Sequence, residues 1–179
     1  MTRIADQYAA ALYSLAAEEN IAETILQELK TVDAVLKENP DYLRLLAASN
    51  IPKAARIQLL DDSFRGRGHP YVLNMLKILV GNGHIRSFCD CRKAFESRYN
   101  DEHGILPVCA VTAVPLTKTQ QDRLLRKLQS IMGKTVLLTN QIDPTCLGGV
   151  RLYYNGKLLD GTVKNHLKKM GDILKETVL

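Results

Sequence analysis

The first hundred residues carry apolar side chains at helical spacing. One stripe steps by four, four and three residues and consists of Ile4, Tyr8, Leu12 and Leu15. A second stripe has the same kind of spacing and consists of Ile21, Ile25, Leu29, Val32 and Leu36. Steps of three and four residues place side chains on one face of a helix. Both stretches are therefore predicted to be amphipathic helices with one buried face.

Proline and glycine divide the rest of this region. Pro40 suits the first turn of a third helix, because proline lacks the N–H that this turn leaves unpaired. Residues 50–52 separate that helix from a fourth, and a loop over 65–70 that contains Gly and Pro precedes a fifth over about 71–82. A sixth helix follows over about 87–100. Six short helices with brief connections predict a compact antiparallel bundle.

The predicted fifth helix is apolar on nearly all sides, since only Asn74, Lys77 and Asn82 are polar. Such a helix is either buried at the centre of a domain or presents an outer face to another molecule. The second interpretation corresponds to a groove that binds a partner helix. The two are compatible, because one face can pack inward while another faces outward.

The periodicity changes after Gly104. A β-branched, apolar run over 105–114 predicts a buried strand. Thr117 and Gln120 fit a capping box at the start of a helix. Alternating apolar residues over 136–142 predict a second strand, so this region combines strands with a helix.

The remaining residues predict a hairpin and a last helix. A third strand over 150–154 leads to Asn155-Gly156, which is typical of a tight β-hairpin turn, and a fourth strand covers 157–160. Gly161 and Thr162 are predicted to open the final helix. Its buried stripe consists of Val163, Leu167, Met170 and Leu174.

The chain is thus predicted to be α+β, with a helical domain over 1–104 and a small α/β domain over 105–179 with a roughly four-stranded sheet. The formal charge is +5 for 179 residues, and it is unevenly placed. The first domain has 13 basic and 14 acidic residues, whereas the second has 11 and 5. The two domains are therefore expected to face different partners, or one of them an acidic partner.

Lys164, Lys168 and Lys175 lie together on the outer face of the predicted last helix. They suit acidic residues on a partner, and a solvated helix face explains them equally well. No stretch reaches the 18 apolar residues of a membrane span, and no basic segment of a signal peptide precedes the apolar run over 8–17. The chain is expected to be intracellular, with any membrane link through a partner.

The sequence offers no active site. Residues 133–135 read Gly-Lys-Thr, but Leu128 replaces the first glycine of a phosphate-binding loop, and a strand rather than a helix follows. Asp61 and Asp62 are interpreted as a solvated face. The histidines are predicted to be surface side chains without a paired base or nucleophile: they are His69, His84, His103 and His166.

The four cysteines do not form a metal-binding pattern. Cys89 and Cys91 are two residues apart on a predicted helix and therefore point about 200° apart. Cys109 lies in a predicted strand and Cys146 in a loop. Reduced, buried thiols are the simpler interpretation. Neither a metal nor a cofactor is expected, which favours a binding or structural protein.

Two other classes of protein are compatible with this pattern. One is a nucleic-acid-binding protein that uses the basic second half, although Trp is absent and only 6% of the residues are aromatic, which is few for base stacking. The other is an enzyme regulator that docks a helix in the first domain.

Four segments resemble one known family. Residues 8–16 resemble "YAxALxxLA", which opens the first helix of the δ subunit of the bacterial ATP synthase, whose mitochondrial homologue confers oligomycin sensitivity. Residues 76–84 are similar to that family's "LLVENGR", with Gly81 for the acidic residue and His84 for the arginine. Residues 111–117 are similar to its "VxSAxPLS".

The fourth segment is the most specific. Residues 142–152 and 158–163 resemble the family's "vDpsliGGvvi…viDGSv", with Thr162 in place of serine. The motif residues are Gly148, Gly149, Asp160 and Gly161. The four segments occur in the family's order over nearly the whole chain.

The resemblance implies a six-helix bundle followed by a small α/β domain, and a non-catalytic stator subunit of a rotary ATP synthase. It links the catalytic head to the peripheral stalk, so that rotor torque drives ATP synthesis. The implied location is the cytoplasmic face of the bacterial plasma membrane, reached through the complex.

The resemblance also implies two partner sites. A groove between the first and fifth helices binds the N-terminal segment of an α subunit. Residues expected to line it are Tyr8, Leu12, Leu15, Leu76, Leu79 and Val80. The second domain meets the C-terminal end of the b subunits, with Lys164, Lys168 and Lys175 on the stalk side.

Overall fold

A computed structural model describes residues 3–64, 66, 68–146, 148–163 and 165. The chain divides into two compact units, Met1–Tyr99 and Asn100–Leu179. Helices make up the first unit, and a four-stranded sheet forms the second. The predicted α+β class, with a helical part before a sheet, is confirmed.

Six α-helices precede the first strand in the described residues. They are α1 (Arg3–Glu18), α2 (Ala22–Glu38), α3 (Pro40–Ala47), α4 (Lys53–Phe64), α5 (Pro70–Gly81) and α6 (Phe88–Glu102), with a 3-10 turn (Ile85–Ser87) before α6. Pro40 and Pro70 occupy first helical turns, where a missing N–H costs nothing. The Nδ1 of His69 accepts the N–H of Tyr71 and caps α5.

The helical unit has one hydrophobic core to which all six helices contribute. Fully buried members include Ile25, Leu29, Leu46, Leu60, Leu79 and Phe95. Tyr13 meets Phe95 edge-to-face at a centroid distance of 5.3 Å. Alanines at 5, 9 and 16 on the buried side of α1 are all fully buried, which allows neighbouring helices to approach α1 closely.

A charged cluster joins α2 to α6 at the edge of this core. Asp33 is only 6% exposed, and its Oδ2 lies 3.0 Å from the Nε of Arg92. Arg92 also contacts Glu96 at 2.7 Å, and Glu96 contacts Lys30 at 2.8 Å. Burial disfavours the charged form of Arg92, but the charges of Asp33 and Glu96 outweigh this and raise its pKa.

The second unit is a mixed sheet with one described helix packed on it. Its elements are β1 (Ile105–Thr112), α7 (Lys118–Met132), β2 (Thr135–Ile142), a 3-10 turn (Pro144–Cys146), β3 (Gly149–Tyr154) and β4 (Lys157–Thr162). The strand order is β2-β1-β3-β4. β1 pairs with β2 in parallel, and the other two pairs are antiparallel. The predicted capping box of Thr117 and Gln120 begins α7.

The residues of α7 cover one face of the sheet. Leu128 of α7 packs on Leu106, Val108 and Ala110 of β1, together with Val136 and Leu152. Since side chains alternate along a strand, the odd-numbered residues of β1 lie on the opposite face. Register places Pro107 beside Leu137, Cys109 beside Tyr153, and Tyr153 beside Leu158 on that face.

Two details differ from the sequence-based expectations. β4 extends two residues beyond the predicted strand, because Gly161 and Thr162 pair with Val150 and Gly149 of β3. Thr162 also opens a helix as predicted, since its Oγ1 accepts the N–H of Asn165 at 3.3 Å. His69 and His84 are partly buried instead of lying on the surface. The residues predicted to continue the last helix, Leu167, Met170 and Leu174, lie outside the described residues, as does His166.

The cysteines are reduced in the structure, and only two of them are buried. Cys91 and Cys146 are fully buried, whereas Cys89 and Cys109 are partly exposed. Burial, with a smaller contribution from Asp90, raises the pKa of Cys91 to about 11. Cys91 is therefore protonated and unreactive at neutral pH.

Candidate functional site

Two hydrogen bonds fasten α1 to α5 in an antiparallel arrangement. The Nδ2 of Asn82, just after α5, donates to the hydroxyl of Tyr8 at 2.9 Å. At the other end, the hydroxyl of Tyr71 donates to the carboxylate of Glu19, just after α1. This bond and the nearby negative charge raise the pKa of Tyr71. The two bonds fix the seam between the helices at both ends.

Side chains of both helices are exposed or partly exposed along this seam. On α1 they follow steps of four, three and four residues: Ile4, Tyr8, Ala11 and Leu15. On α5 they are Asn74 and Ile78, which lie between Tyr71 and Asn82. Leu15 is 46% exposed, Ile78 49% and Ile4 38%. We call these six residues the α1/α5 surface; it is largely apolar and lies outside the core.

The structure separates the predicted groove residues into two groups. Four of them belong to the core, with exposures of 5% or less: Leu12, Leu76, Leu79 and Val80. Tyr8 is partly buried and Leu15 is exposed, so these two lie on the α1/α5 surface. Ile78 is absent from the predicted set. It lies one turn before Asn82, on the side of α5 that carries polar residues, and this spacing could have identified it as exposed.

Polar contacts hold α5 against the neighbouring helices. The Nη1 of Arg56 donates to the carbonyl oxygens of Leu46 and Val80, at 3.1 and 3.3 Å. These carbonyls lie near the C-terminal ends of α3 and α5, where the regular hydrogen bonds of a helix end. The Nζ of Lys77 contacts Asp61 of α4 at 2.6 Å. α5 therefore presents Ile78 from a fixed position.

The glycine motif of the second unit is a site of close backbone contact. Gly149 has a φ of +86°, and a β-carbon there would lie 2.5 Å from the carbonyl oxygen of Gly161. β3 and β4 therefore meet at a distance that only glycine permits. Gly148 begins this approach, and a β-carbon on it would meet Val163 at 3.6 Å. The motif shapes the sheet and offers no group for catalysis.

Asp160 organises the end of β4. Its Oδ1 accepts the N–H of Thr162 at 2.9 Å and the hydroxyl of Thr162 at 2.7 Å. These bonds, and the charge of Arg151 3.5 Å away, lower the pKa of Asp160. The carbonyl oxygen of Asp160 accepts from Asn165. The motif residues therefore have structural roles that explain their spacing.

The lysines predicted for the stalk side, Lys164, Lys168 and Lys175, lie outside the described residues. The described residues of the second unit still carry a basic helix, since Lys118, Arg123, Arg126 and Lys127 of α7 outnumber Asp122.

The helical unit contains one sizeable cavity among its described residues, of about 570 Å³. Its walls come mainly from α2, α4 and α5 and are mostly apolar. Glu28 lies on its rim, and its Oε2 accepts the N–H of His69 at 2.7 Å. The described residues contain no group of three potential metal ligands. The helices of the described part are also too short or too polar to cross a membrane.

Comparisons with known proteins agree with these features. Residues 4–174 match the family model described as ATP synthase delta (OSCP) subunit. The chain is similar to ATP synthase subunit delta of Leuconostoc citreum, with 35% identity over 168 residues and 93% of each chain covered. It is also similar to ATP synthase subunit delta of Clostridioides difficile, with 32% identity over 176 residues, covering 98% and 97% of the two chains.

A solved structure shares the fold. A chain of the Toxoplasma gondii mitochondrial ATP synthase hexamer superimposes with a TM-score of 0.74 at 22% identity, over 97% of this chain and 98% of that one. The architecture of both units is therefore common to the two chains.

Proposed function

The chain belongs to the ATP synthase delta (OSCP) subunit family, and on this premise we propose that its two units fasten the catalytic head of the synthase to the peripheral stalk. Members of this family are non-catalytic components of the peripheral stalk of F-type ATP synthases. The chain is accordingly a stator subunit and not an enzyme. By resisting rotation of the head, it allows the torque of the rotor to drive ATP synthesis.

Each of the two domains predicted from the sequence is assigned one role. The helical domain, 1–104, acts as one six-helix bundle that binds the head. The core shared by α1 to α6 supports its treatment as one bundle. The α/β domain, 105–179, binds the C-terminal end of the b subunits. The protein then lies at the cytoplasmic face of the bacterial plasma membrane and reaches the membrane only through the complex.

The α1/α5 surface is the proposed binding site for the N-terminal segment of the α subunit of the head. The observation that carries this assignment is the exposed apolar row of Leu15 and Ile78 beside a seam fixed by two hydrogen bonds. An amphipathic helix that covers this row buries apolar surface, at about 25 cal/mol per Å² before ordering costs. Leu12, Leu76 and Leu79 belong to the core of the helical unit.

Titration calorimetry with a synthetic peptide of the organism's own α-subunit N-terminus tests this site. Leu15→Glu and Ile78→Glu are each expected to weaken binding more than tenfold, because they place a charge within an apolar contact. Leu45→Glu on α3 is the matched control, since Leu45 is 47% exposed. Leu79→Glu is unsuitable, because Leu79 is fully buried and a carboxylate there disrupts the core.

The outcomes separate the role from the site. If the folded wild-type protein does not bind the peptide, the assignment of the helical domain to the head is wrong. If all three variants bind like the wild type, the domain keeps its role and the α1/α5 surface is not the site. Circular dichroism at 222 nm verifies that each variant is folded.

A further inference from the structure

The chain contains two asparagine–glycine pairs, and the proposed function uses the chemistry of neither. They are Asn82-Gly83 and Asn155-Gly156. Asparagine is a thermolabile residue, and it is least stable before glycine, which has no side chain to hinder attack on the asparagine amide. All four residues are exposed. Access to solvent therefore does not distinguish the two pairs.

Hydrogen bonds hold both reacting groups of the first pair. The side-chain Nδ2 of Asn82 donates to the hydroxyl of Tyr8 at 2.9 Å. The backbone N–H of Gly83 donates to the carbonyl oxygen of Val80 at 3.2 Å. Val80 is fully buried in the helical core. A movement of the backbone at Asn82 therefore disrupts the end of a helix that the core holds in place.

The second pair has neither restraint. Within the described part of the chain, no residue hydrogen-bonds to the side-chain amide of Asn155 or to the backbone N–H of Gly156. A β-carbon on Gly156 would meet nothing within 4 Å. Both residues line a shallow cavity of about 230 Å³. The side chain of Asn155 therefore has room to turn, and water has access to it.

We propose that Asn155 deamidates spontaneously in the folded protein and that its isoaspartate product loosens the hairpin of β3 and β4. The backbone nitrogen of Gly156 gives up its proton to solvent and attacks the Cγ of Asn155. The N–Cγ bond forms and the Cγ–Nδ2 bond breaks, and Nδ2 takes up a proton and leaves as ammonia. Water then opens the resulting succinimide ring. Cleavage at the former backbone carbonyl gives isoaspartate, and cleavage at Cγ gives aspartate.

Ring closure requires the backbone of Asn155 to rotate out of its left-handed conformation, in which φ is 43°. The turn lies at the tip of a hairpin, and β4 is the last strand in the order β2-β1-β3-β4. Exposed segments with few buried contacts open at a lower free-energy cost than core helices. Glycine at 156 assists, because it adopts both signs of φ. Asn155 therefore reaches the reactive geometry more often than Asn82.

The two products affect the hairpin differently. Aspartate keeps the normal backbone, and Asp-Gly suits the same tight turn as Asn-Gly. In isoaspartate the backbone runs through Cβ and Cγ, so the turn is longer by one carbon atom. The pair next to the turn, Tyr154 with Lys157, is expected to separate first. β4 pairs with no described strand other than β3, so this loss weakens its attachment to the sheet.

Peptide mapping by mass spectrometry tests the site in the full-length protein. Trypsin places the two asparagines on separate short peptides, 78–86 and 152–157. The folded protein is incubated at pH 8 in water enriched in oxygen-18, which marks every acid formed by ring opening. Deamidation of Asn155 is expected to be at least fivefold faster than that of Asn82. In concentrated urea, which removes the hydrogen bonds of both pairs, the two rates are expected to agree within twofold.

Two results would overturn the proposed site. If Asn82 reacts as fast as Asn155 in the folded protein, the hydrogen bonds at Asn82 do not control the reaction. If Asn155 reacts only in urea, the folded turn protects its amide.

The effect on the hairpin is measured on aged protein, from which the isoaspartate form is separated by chromatography. Amide hydrogen exchange of β4 is expected to be at least tenfold faster in this form than in fresh protein. Asn155→Asp is the matched control, since it carries the same charge on a normal backbone, and it is expected to stay within twofold of fresh protein. Equal exchange in the isoaspartate form and in Asn155→Asp would show that the longer backbone does not loosen the hairpin.

Discussion

The side chain of Lys53 occupies the place where a β-carbon of Gly81 would be. Such a β-carbon would lie 2.7 Å from the Cε of Lys53 and 2.9 Å from its Nζ. Gly81 is the last residue of α5 and Lys53 the first of α4. Because the obstacle is the end of a flexible chain and not backbone, the contact is easily relieved.

Gly81→Ala is therefore expected to stabilise the helical unit by about 0.5 kcal/mol, since alanine is the better helix former and restricts the unfolded chain. Gly83→Ala is the comparison, because Gly83 has a φ of +74° with open space around it. It is expected to destabilise the unit by about 1 kcal/mol. Urea unfolding followed at 222 nm measures both. A loss for Gly81→Ala as large as for Gly83→Ala would show that Lys53 is held in place.

Gly149→Ala is expected to destabilise the second unit by more than about 2 kcal/mol, because the backbone of Gly161 blocks the new methyl group. Gly133→Ala serves as the control, since Gly133 has a φ of +62° but open space, and its cost is about 1 kcal/mol. Amide hydrogen exchange of β3 and β4 reports this unit separately from the helices. Equal protection in the two variants contradicts the steric explanation.

Asp33→Ala is expected to destabilise the helical unit by about 3 kcal/mol, because it leaves Arg92 buried without its partner. Arg92 has a side chain only 13% exposed, and its contact with Glu96 remains in this variant. Asp41→Ala removes the exposed pair with Arg44, whose side chains are 86% and 77% exposed, and is expected to cost less than about 0.5 kcal/mol. Urea unfolding distinguishes the two; similar losses would mean that burial adds nothing to the Asp33 contact.

Asp160→Asn is expected to reduce protection of β4 near pH 7, and the deficit is expected to shrink in acid. The folded pKa of Asp160 lies below its ordinary value of 3.8. Its stabilising effect is thus present above that value and is lost as the pH falls through the lower folded pKa. Amide exchange at pH 7 and pH 3 checks this, with exposed Asp122→Asn as the control. A deficit that is the same at both pH values would rule out the charge as its cause.

Local features of the fold were predictable because their signals are short. The capping box needs only Thr117 and Gln120 and is present as predicted. The Asn155-Gly156 turn requires two residues with positive φ, and the structure has 43° and 71°. In such turns the backbone preferences of a few residues decide the conformation, and distant contacts matter little.

The exposed apolar surfaces were less predictable, for two physical reasons. α5 is apolar on nearly all sides, so its periodicity does not distinguish core residues such as Leu76 from exposed Ile78. Side chains alternate along β3, so Tyr153 and Leu152 lie on opposite faces of the sheet. This alternation does not reveal that Leu137 lies on the same face as Tyr153. That relationship depends on the register of β1 and β2, whose paired residues are about 30 positions apart in sequence.

The hairpin turn has a consequence for insertions and deletions. The two-residue turn at Asn155-Gly156 fixes Leu158 opposite Tyr153 and Leu159 opposite Leu152. A slip of one residue would preserve strand pairing but exchange the faces of all β4 side chains. Adding one residue to this turn is therefore expected to exchange Leu158 and Leu159 between the two faces of the sheet. The length of the turn thus decides on which face of the sheet each leucine of β4 lies.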